Sequence, residues 1–435
     1  MTSKVQELGI FAYLPGATNA VPAGILSIIE EGGAVNGSKF VYGTRYLERL
    51  NALEIDPVSL SLKNKKAVSC VEIFPAGELK LFGGLRDAAP DAWGRRVIES
   101  KRKASANSLP ESTYLLEAGT NRVGALDVRH GIKEQEPRHH ATSIVRLEYL
   151  MEAAARVETG ESIPVSLEDI FEAGSALGGA RPKATVSDSS GKLWLAKFAS
   201  RTDQMDVPSI EVATLKLAAK AGLHVPEVRT EKIGAGLNAM LIERFDRVGA
   251  GENITRRHFI SALTLIGCHE QDSPSKSYAD IAEAIRKHGA ASSIANDLKE
   301  LFGRMIFNIL VSNDDDHLRN HGALWSSQGD SQSNGWVLSP LYDVVPRPSS
   351  AFERRLHLGV GSQGKSATLI NAMSEYGRFG LTKDVALTII ERIWLVVREW
   401  KTHFEECNIS AVEINKVQSA FRHVRDLGGK EFGIV

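Results

Sequence analysis

Cysteine is scarce in this chain. Three residues, Cys70, Cys268 and Cys407, are spread over 435 positions. Their odd number and wide spacing predict neither a disulfide framework nor a cysteine-based metal site. We therefore expect a reducing compartment, the cytoplasm.

Long apolar runs and an excess of charge are absent too. No segment is apolar enough over a sufficient length to span a bilayer, and the start of the chain, Met1 to Lys4, lacks a signal-peptide core. The 52 Lys and Arg residues oppose 53 Asp and Glu residues, so the net charge is −1. This balance excludes a global attraction to nucleic acid, and any DNA contact must be local or supplied by a partner.

The length predicts more than one domain, because a single core rarely grows to 435 residues. Residues 5–85 contain short alternating apolar runs separated by Gly and Pro, which is typical of β structure. Residues 91–105 predict a helix, and residues 131–143 a charged linker. We expect three parts: a β-rich subdomain with a helix at 1–130, a glycine-loop region at 131–245 and a helical lobe at 246–435.

A polar run after an apolar helix is the most informative feature. Apolar residues from Leu298 to Leu310 recur at helical spacing and predict a buried helix. The run Asp315-Asp316-His317-Leu318-Arg319-Asn320 follows, then two short apolar stretches, then Asp343. Phosphoryl transfer needs this layout: an Asp, an Asn five residues later, and a second Asp after a strand pair. The alternative interpretation is a set of helix caps and turns, but caps do not require Asp343.

Upstream residues supply candidates for a nucleotide site. A glycine-rich stretch, 174–184, leads into a strand and a hairpin signal at 187–191. The next strand, 193–198, carries Lys197 in an apolar run. Glycine lets backbone N–H groups approach phosphate, and a strand lysine can bind the α- and β-phosphates. A lone strand lysine more often simply faces water. Glu211, early in the next predicted helix, is either a surface residue or a partner for Lys197.

Together these segments resemble the HipA family of serine/threonine kinase toxins. The resemblance is carried by residues 178–184, 196–198, 243–247, 315–320 and 341–343. Two N-terminal blocks agree as well, Phe82 to Arg96 and Leu115 to Leu126. The similarity follows the family's order over nearly the whole chain.

The resemblance implies a role for each matching residue. Lys197 would bind phosphate beside Gly178 and Gly179, and Glu243 and Phe245 would lie at the adenine hinge. Asp315 would be the catalytic residue and His317 would support its loop. Asn320 and Asp343 would hold Mg²⁺.

The resemblance also implies self-inhibition and partners. Ser175 is the serine nearest to the position that the family autophosphorylates. Asp316 often is Gly in the family, and its extra charge predicts either a bound cation or a nearby basic group such as Arg319. The implied fold is α+β: a two-lobed protein-kinase-like fold with a β-rich N-terminal subdomain and an all-helical C-terminal lobe. ATP and Mg²⁺ are the implied cofactors. The implied partners are a HipB-like helix-turn-helix antitoxin dimer, operator DNA bound mainly through it, and an aminoacyl-tRNA synthetase as the protein substrate.

Two other functions stay open. A small-molecule or lipid phosphotransferase would share the Asp and the Asn five residues later, but it would not need the β-rich N-terminal part. A non-catalytic co-repressor scaffold would need none of Lys197, Asp315, Asn320 and Asp343, and all four are present.

Overall fold

The structure is a computed structural model, and it describes residues 4–134, 142–176, 178–234, 236–327 and 334–434. Most of the predicted linker at 131–143 lies outside the described residues. The strands are β1 (Lys4–Tyr13), β2 (Ala20–Glu31), β3 (Ala34–Tyr42), β4 (Leu126–Arg129), β5 (Thr142–Ser143), β6 (Lys183–Ser187), β7 (Leu193–Lys197), β8 (Val228–Ile233), β9 (Leu237–Glu243), β10 (Arg247–Val248), β11 (Thr255–Arg256), β12 (Phe259–Ser261), β13 (Gly322–Ser326) and β14 (Gly335–Leu338).

The helices follow in the same chain order. They are α1 (Thr44–Leu47), α2 (Gly83–Asp87), α3 (Ala92–Arg102), α4 (Glu111–Glu117), α5 (Leu147–Thr159), α6 (Asp169–Gly174), α7 (Val207–Lys220), α8 (Ala262–Ile266), α9 (Tyr278–His288), α10 (Ile294–Val311), α11 (Leu369–Met373), α12 (Lys383–Val397), α13 (Trp400–Glu406) and α14 (Ala411–Val417). Among the residues that the structure describes, no helix is both long enough and apolar enough to cross a membrane.

The chain forms two compact units, and neither is a continuous segment. The first comprises the described residues of 1–201, 231–260 and 324–334. The second comprises those of 202–230, 261–323 and 335–435.

Two sheets organise the first unit. The N-terminal sheet has the order β3-β2-β1-β4, and its neighbouring strands are antiparallel. Its central strands bury an apolar core that includes Leu8, Ile10, Leu26, Ile28 and Phe40. The second sheet has the order β5-β6-β7-β9-β8, and α5 and α6 contribute to the core beside it. The 71–74 run alternates like a strand but forms only an isolated bridge, between Ile73 and Phe40.

A buried helix is central to the second unit. Every residue of α10 from Leu301 to Val311 is buried, so the helix is covered on all sides, as expected for a core helix. It packs against α9 and α12. The one buried arginine of α10, Arg304, donates to Glu300 Oε1 at 2.9 Å and to the Ser339 carbonyl at 2.6 Å. These bonds satisfy its charge inside the core.

The predicted fold class is confirmed. The N-terminal part is β-rich and the C-terminal part is helical apart from the short strands β10 to β14. The predicted helix at 298–310 lies within α10, and the predicted lysine-bearing strand is β7.

A buried carboxylate joins two segments of the first unit that are far apart in sequence. Asp246 accepts hydrogen bonds from Arg244 Nη2 at 2.8 Å, Arg247 Nη1 at 2.6 Å and the Gly124 N–H at 2.8 Å. Both arginines also donate to the Arg122 carbonyl, at 3.0 and 2.6 Å. We call this group of contacts the Asp246 clamp.

The clamp stabilises an ionised carboxylate away from water. Burial by itself would raise the pKa of Asp246, but Arg244 and Arg247 outweigh this effect and hold the pKa far below its usual value. The stabilisation is therefore present above the pKa of an unfolded aspartate and is lost as the pH falls toward the native value.

We expect Asp246→Asn to destabilise the protein by roughly 3–5 kcal/mol, because removing one member of a buried ion pair leaves its partners uncompensated. Glu252→Gln, which removes an exposed charge from the same unit, is the control and should change stability by less than about 0.5 kcal/mol. Urea unfolding of both variants measures the difference. Equal midpoints for the two variants would contradict the role assigned to the clamp.

Candidate active site

The loop after α10 presents Asp315 to solvent. The helix ends at Ser312, whose φ of 53° is left-handed, and the chain then turns toward a short 3-10 helix at Leu318–Asn320. The Asp315 carbonyl accepts from the His317 N–H at 2.9 Å and from Asn320 Nδ2 at 3.0 Å. The backbone of Asp315 is thus held in place while its carboxylate stays half-exposed, as a group that meets a substrate must be.

Asp316 has a basic neighbour, as predicted, but it is His321 and not Arg319. Arg319 forms an ion pair with Glu270 at 2.7 Å instead. Asp316 is buried and accepts from the Tyr278 hydroxyl and from His321 Nε2, the latter at 2.8 Å. Burial raises its pKa, but His321 and Tyr278 offset this and the net shift is downward. The loop thus directs the Asp316 carboxylate into the core and not toward Arg319 at the surface.

A chain of buried polar groups continues behind Asp316. Asn308 of α10 donates from Nδ2 to the Tyr278 hydroxyl oxygen at 3.2 Å, and Asn313 donates to Asn308 Oδ1 at 3.1 Å. Because Tyr278 belongs to α9 and Asn308 to α10, both helices hold the buried side of the loop. Buried hydrogen-bond networks of this kind favour one loop conformation.

His317 is half-buried and its ring lies edge-on to His357, with centroids 5.9 Å apart. Its backbone bonds to Asp315 and Asn320 are those of a residue that shapes the loop.

Asp343 lies beside the same loop in an unusual conformation. Its φ of 60° is left-handed, which costs a non-glycine residue of order 1 kcal/mol and occurs often at functional positions. The neighbouring Tyr342 hydroxyl donates to the Arg319 carbonyl at 2.7 Å and so joins this segment to the one that carries Asn320. The structure thus brings Asp315, Asn320 and Asp343 into one region of the second unit.

These residues fit a magnesium ion that arrives with a nucleotide. The described residues include no cluster of three or more His, Cys, Asp or Glu side chains that could hold a metal alone. Protein sites for Mg²⁺ commonly combine one or two carboxylates with phosphate oxygens, so such a cluster is not required. Because the Asn320 amide nitrogen is engaged by Asp315, its amide oxygen is the atom left to act as a ligand.

Arg347 is a residue that sequence reasoning missed. It pairs with Asp315 Oδ2 through Nη2 at 2.5 Å and with Asp314 Oδ1 through Nε at 3.3 Å. No pattern in the sequence indicates this, because 32 residues separate Arg347 from Asp315.

In the first unit, α3 holds the glycine-rich loop. The Trp93 N–H donates to the Gly179 carbonyl at 2.9 Å, and Trp93 Nε1 donates to the Lys183 carbonyl at 2.8 Å. Gly179 has a φ of 80°, and a Cβ there would collide with the Lys183 ammonium group. A Cβ at Gly178 would lie 3.2 Å from Asp91 Oδ2. Glycine is favoured at position 179 by the left-handed backbone, and the Lys183 ammonium group lies against it.

Lys183 and Lys197 lie directly opposite each other on β6 and β7. Both side chains are buried, at 8% and 7% exposure. Two lysine side chains at facing positions can both contact one anion, so the pair suits a ligand such as a polyphosphate. The lysine within an apolar run indicated Lys197 alone. The hairpin signal between the two strands also indicates that Lys183 faces it.

The predicted hinge residues lie at the end of β9 and in the turn that follows it. Glu243 and Phe245 are half-exposed, whereas Arg244 and Asp246 alternate with them and are buried in the clamp. Glu243 forms an ion pair with Lys192 at 3.1 Å. The Phe245 ring packs against Phe259 at a centroid distance of 6.2 Å.

The two remaining candidates are buried. Ser175 is 3% exposed, follows α6 and donates to the Ala118 carbonyl at 3.3 Å. Glu211 on α7 is 1% exposed, which excludes the surface interpretation of that residue.

Comparison with known proteins agrees with these features. The family model of the HipA-like C-terminal domain matches residues 175–400, slightly more than half of the chain. In Sinorhizobium fredii, the protein named "Putative kinase Y4mE" is 25% identical over 328 residues, which are 70% of this chain and 71% of that protein. "Putative kinase Y4dM" of the same organism is 27% identical over 170 residues, 37% of this chain and 38% of its own length.

A solved structure shares the fold. It is the complex of the Shewanella oneidensis MR-1 toxin–antitoxin system HipA and HipB with operator DNA. The match covers 98% of both chains with a TM-score of 0.68 at 16% sequence identity. From the match over residues 175–400 and the geometry above, we conclude that the chain belongs to the HipA-like kinase family.

Proposed function

We propose that this protein is a serine/threonine-protein kinase toxin that transfers the γ-phosphate of ATP to a protein hydroxyl. The observation that carries the proposal is the anchored Asp315 loop, in which Asn320 is hydrogen-bonded to the Asp315 carbonyl and Tyr342 draws Asp343 to the same place.

Asp315 would orient the acceptor hydroxyl and take its proton. Its carboxylate is half-exposed and its backbone is held by His317 and Asn320, so the group is positioned and accessible at the same time. In phosphoryl transfer most of the rate enhancement comes from such positioning and from neutralising charge.

Lys183 and Lys197 would bind the phosphates, with the backbone at Gly178 and Gly179 beside them. Asn320 and Asp343 would hold Mg²⁺, and Glu243 and Phe245 would border the adenine. Mg²⁺, when bound with ATP, supplies charge neutralisation on the transferred phosphoryl group. The two buried ammonium groups supply further positive charge at fixed positions, without reorganisation at the moment of reaction.

Ser175 would be the self-inhibiting site. A phosphate adds roughly −1.5 to −2 charge, which cannot remain where the Ser175 hydroxyl is buried against Ala118. The end of α6 and the glycine loop would have to rearrange. The contact between Gly179 and Lys183 would then be lost, and nucleotide binding with it.

A HipB-like helix-turn-helix antitoxin dimer would neutralise the protein and carry it to operator DNA. The solved relative is a complex of HipA with HipB and operator DNA. The net charge of −1 on this chain supports DNA contact through the partner, since phosphate contacts need a surplus of Lys and Arg.

Asp315→Ala should reduce phosphotransfer by more than about a hundredfold, because positioning and proton acceptance are lost together. Asp272→Ala, an exposed aspartate in the same unit, should leave the rate unchanged. The measurement is transfer from γ-labelled ATP to protein in a cytosolic extract, at equal folded fractions by circular dichroism. Retention of activity within about tenfold, ~1.4 kcal/mol of barrier, would contradict the role of Asp315.

Lys183→Ala and Lys197→Ala should each weaken Mg-ATP binding by roughly ten- to a hundredfold, the effect of losing a charge-assisted hydrogen bond. Lys66→Ala removes an exposed lysine from the same unit and serves as the control. Calorimetric titration gives the affinities. Lys183 would be excluded from the site if its variant bound Mg-ATP as tightly as the control.

Incubation with Mg-ATP should cause a slow loss of activity together with a phosphopeptide spanning residues 171–183. Ser175→Ala should prevent both, and Ser190→Ala, in the exposed hairpin turn, should prevent neither. Mass spectrometry locates the phosphate. If Ser175→Ala inactivates at the rate of the unaltered protein, another residue carries the switch.

A further inference from the structure

A cavity of about 160 Å³ lies next to the catalytic loop in the second unit. Asp314 forms one side of it, and the segment after Asp343 forms the other. Its charged and hydroxyl lining comprises Ser312, Asp314, Arg347, Ser349, Glu353, Arg354 and Arg355. We call it the arginine-lined cavity.

The three arginines are held in different ways. Arg354 is part of the frame: it donates to the Ser349 carbonyl at 2.9 Å and the Ala420 carbonyl at 3.2 Å. Arg347 is shared with the catalytic loop through Asp314 and Asp315, and its side chain is half-exposed. Exposed ion pairs are weak and exchange readily, so a competing anion can displace Asp314 and Asp315 from Arg347.

Arg355 is exposed at the cavity, and within the described residues its guanidinium group has neither a hydrogen bond nor an ion pair. The carboxylates that line the same cavity are Asp314 and Glu353, which are both exposed. Because neither carboxylate engages the Arg355 guanidinium group, it can take up a further anion. Arg347 can join it when its exposed ion pairs exchange.

We propose that the arginine-lined cavity binds an acidic side chain of the protein that is phosphorylated, a few residues from the acceptor hydroxyl. The inference rests on the proposed kinase function and adds a substrate class to it. A guanidinium fork matches a carboxylate with two parallel hydrogen bonds, and the cavity is smaller than the roughly 300 Å³ or more of typical small-molecule sites. Arg347 lines the cavity and also pairs with Asp315, so the cavity adjoins the catalytic carboxylate. One substrate peptide can therefore place an acidic side chain in the cavity and its hydroxyl at Asp315.

Binding of that carboxylate also affects the catalytic residue. When Arg347 turns to the incoming acid, Asp315 Oδ2 loses its ion-pair partner and becomes available to the hydroxyl. An acidic acceptor thus frees the carboxylate that positions it.

The test uses the full chain and serine-centred peptides that differ only in carrying Glu, Ala or Lys at one position within four residues of the serine. At the best position we expect kcat/KM for Glu to exceed that for Ala about tenfold and Lys to be worst, mainly through KM. Arg355→Glu should reverse the order of Glu and Lys peptides. Arg425→Glu, an exposed arginine of the same unit outside the cavity, should keep the original order.

Equal rates for the three peptide types, or an unchanged preference in Arg355→Glu, would overturn the cavity assignment and leave the kinase proposal standing. Autophosphorylation without phosphorylation of any peptide would overturn it as well. If neither autophosphorylation nor peptide phosphorylation occurs, the proposed function fails and the inference fails with it.

Discussion

The organisation of the first unit depends on keeping one ionised carboxylate buried. Asp246 carries charge in the core, and Arg244, Arg247 and the Gly124 N–H offset its desolvation. Buried charge is tolerated only when every polar group has a partner, so the clamp allows few alternative arrangements of these segments. Glu243 and Phe245 are half-exposed and alternate with the buried Arg244 and Asp246. The clamp therefore also determines which side chains of this segment are available to a ligand.

A buried and compensated carboxylate also underlies the Asp315 loop of the second unit. Asp316 is buried beside His321 and Tyr278, and the adjacent Asp315 is consequently directed outward. Two neighbouring carboxylates thus have separate tasks, because one is stabilised inside the core and the other remains available to solvent. The left-handed Asp343 is held beside them through Tyr342, so the conformational cost at that residue is met by its surroundings.

Local patterns predicted the elements that carry the candidate site. Apolar spacing identified α10, and a lysine within an apolar run identified β7, because both signals depend on nearest neighbours along the chain. Pairwise contacts were harder to predict. Arg319 was expected to neutralise Asp316 because it is close in sequence, but it forms a pair with Glu270, 49 residues away. Side-chain direction in a loop depends on what the core beneath it can accept.

The sequence by itself determined the α+β class, helix α10, strand β7 and the residue types that we propose for phosphate and magnesium binding, since these follow from periodicity and motif spacing. Only the tertiary structure decided that Lys183 faces Lys197, that Arg347 reaches Asp315 and that Ser175 is buried. Each of these facts involves residues brought together by strand pairing or loop packing. Their proximity is set by long-range burial and charge compensation, and no local pattern encodes it.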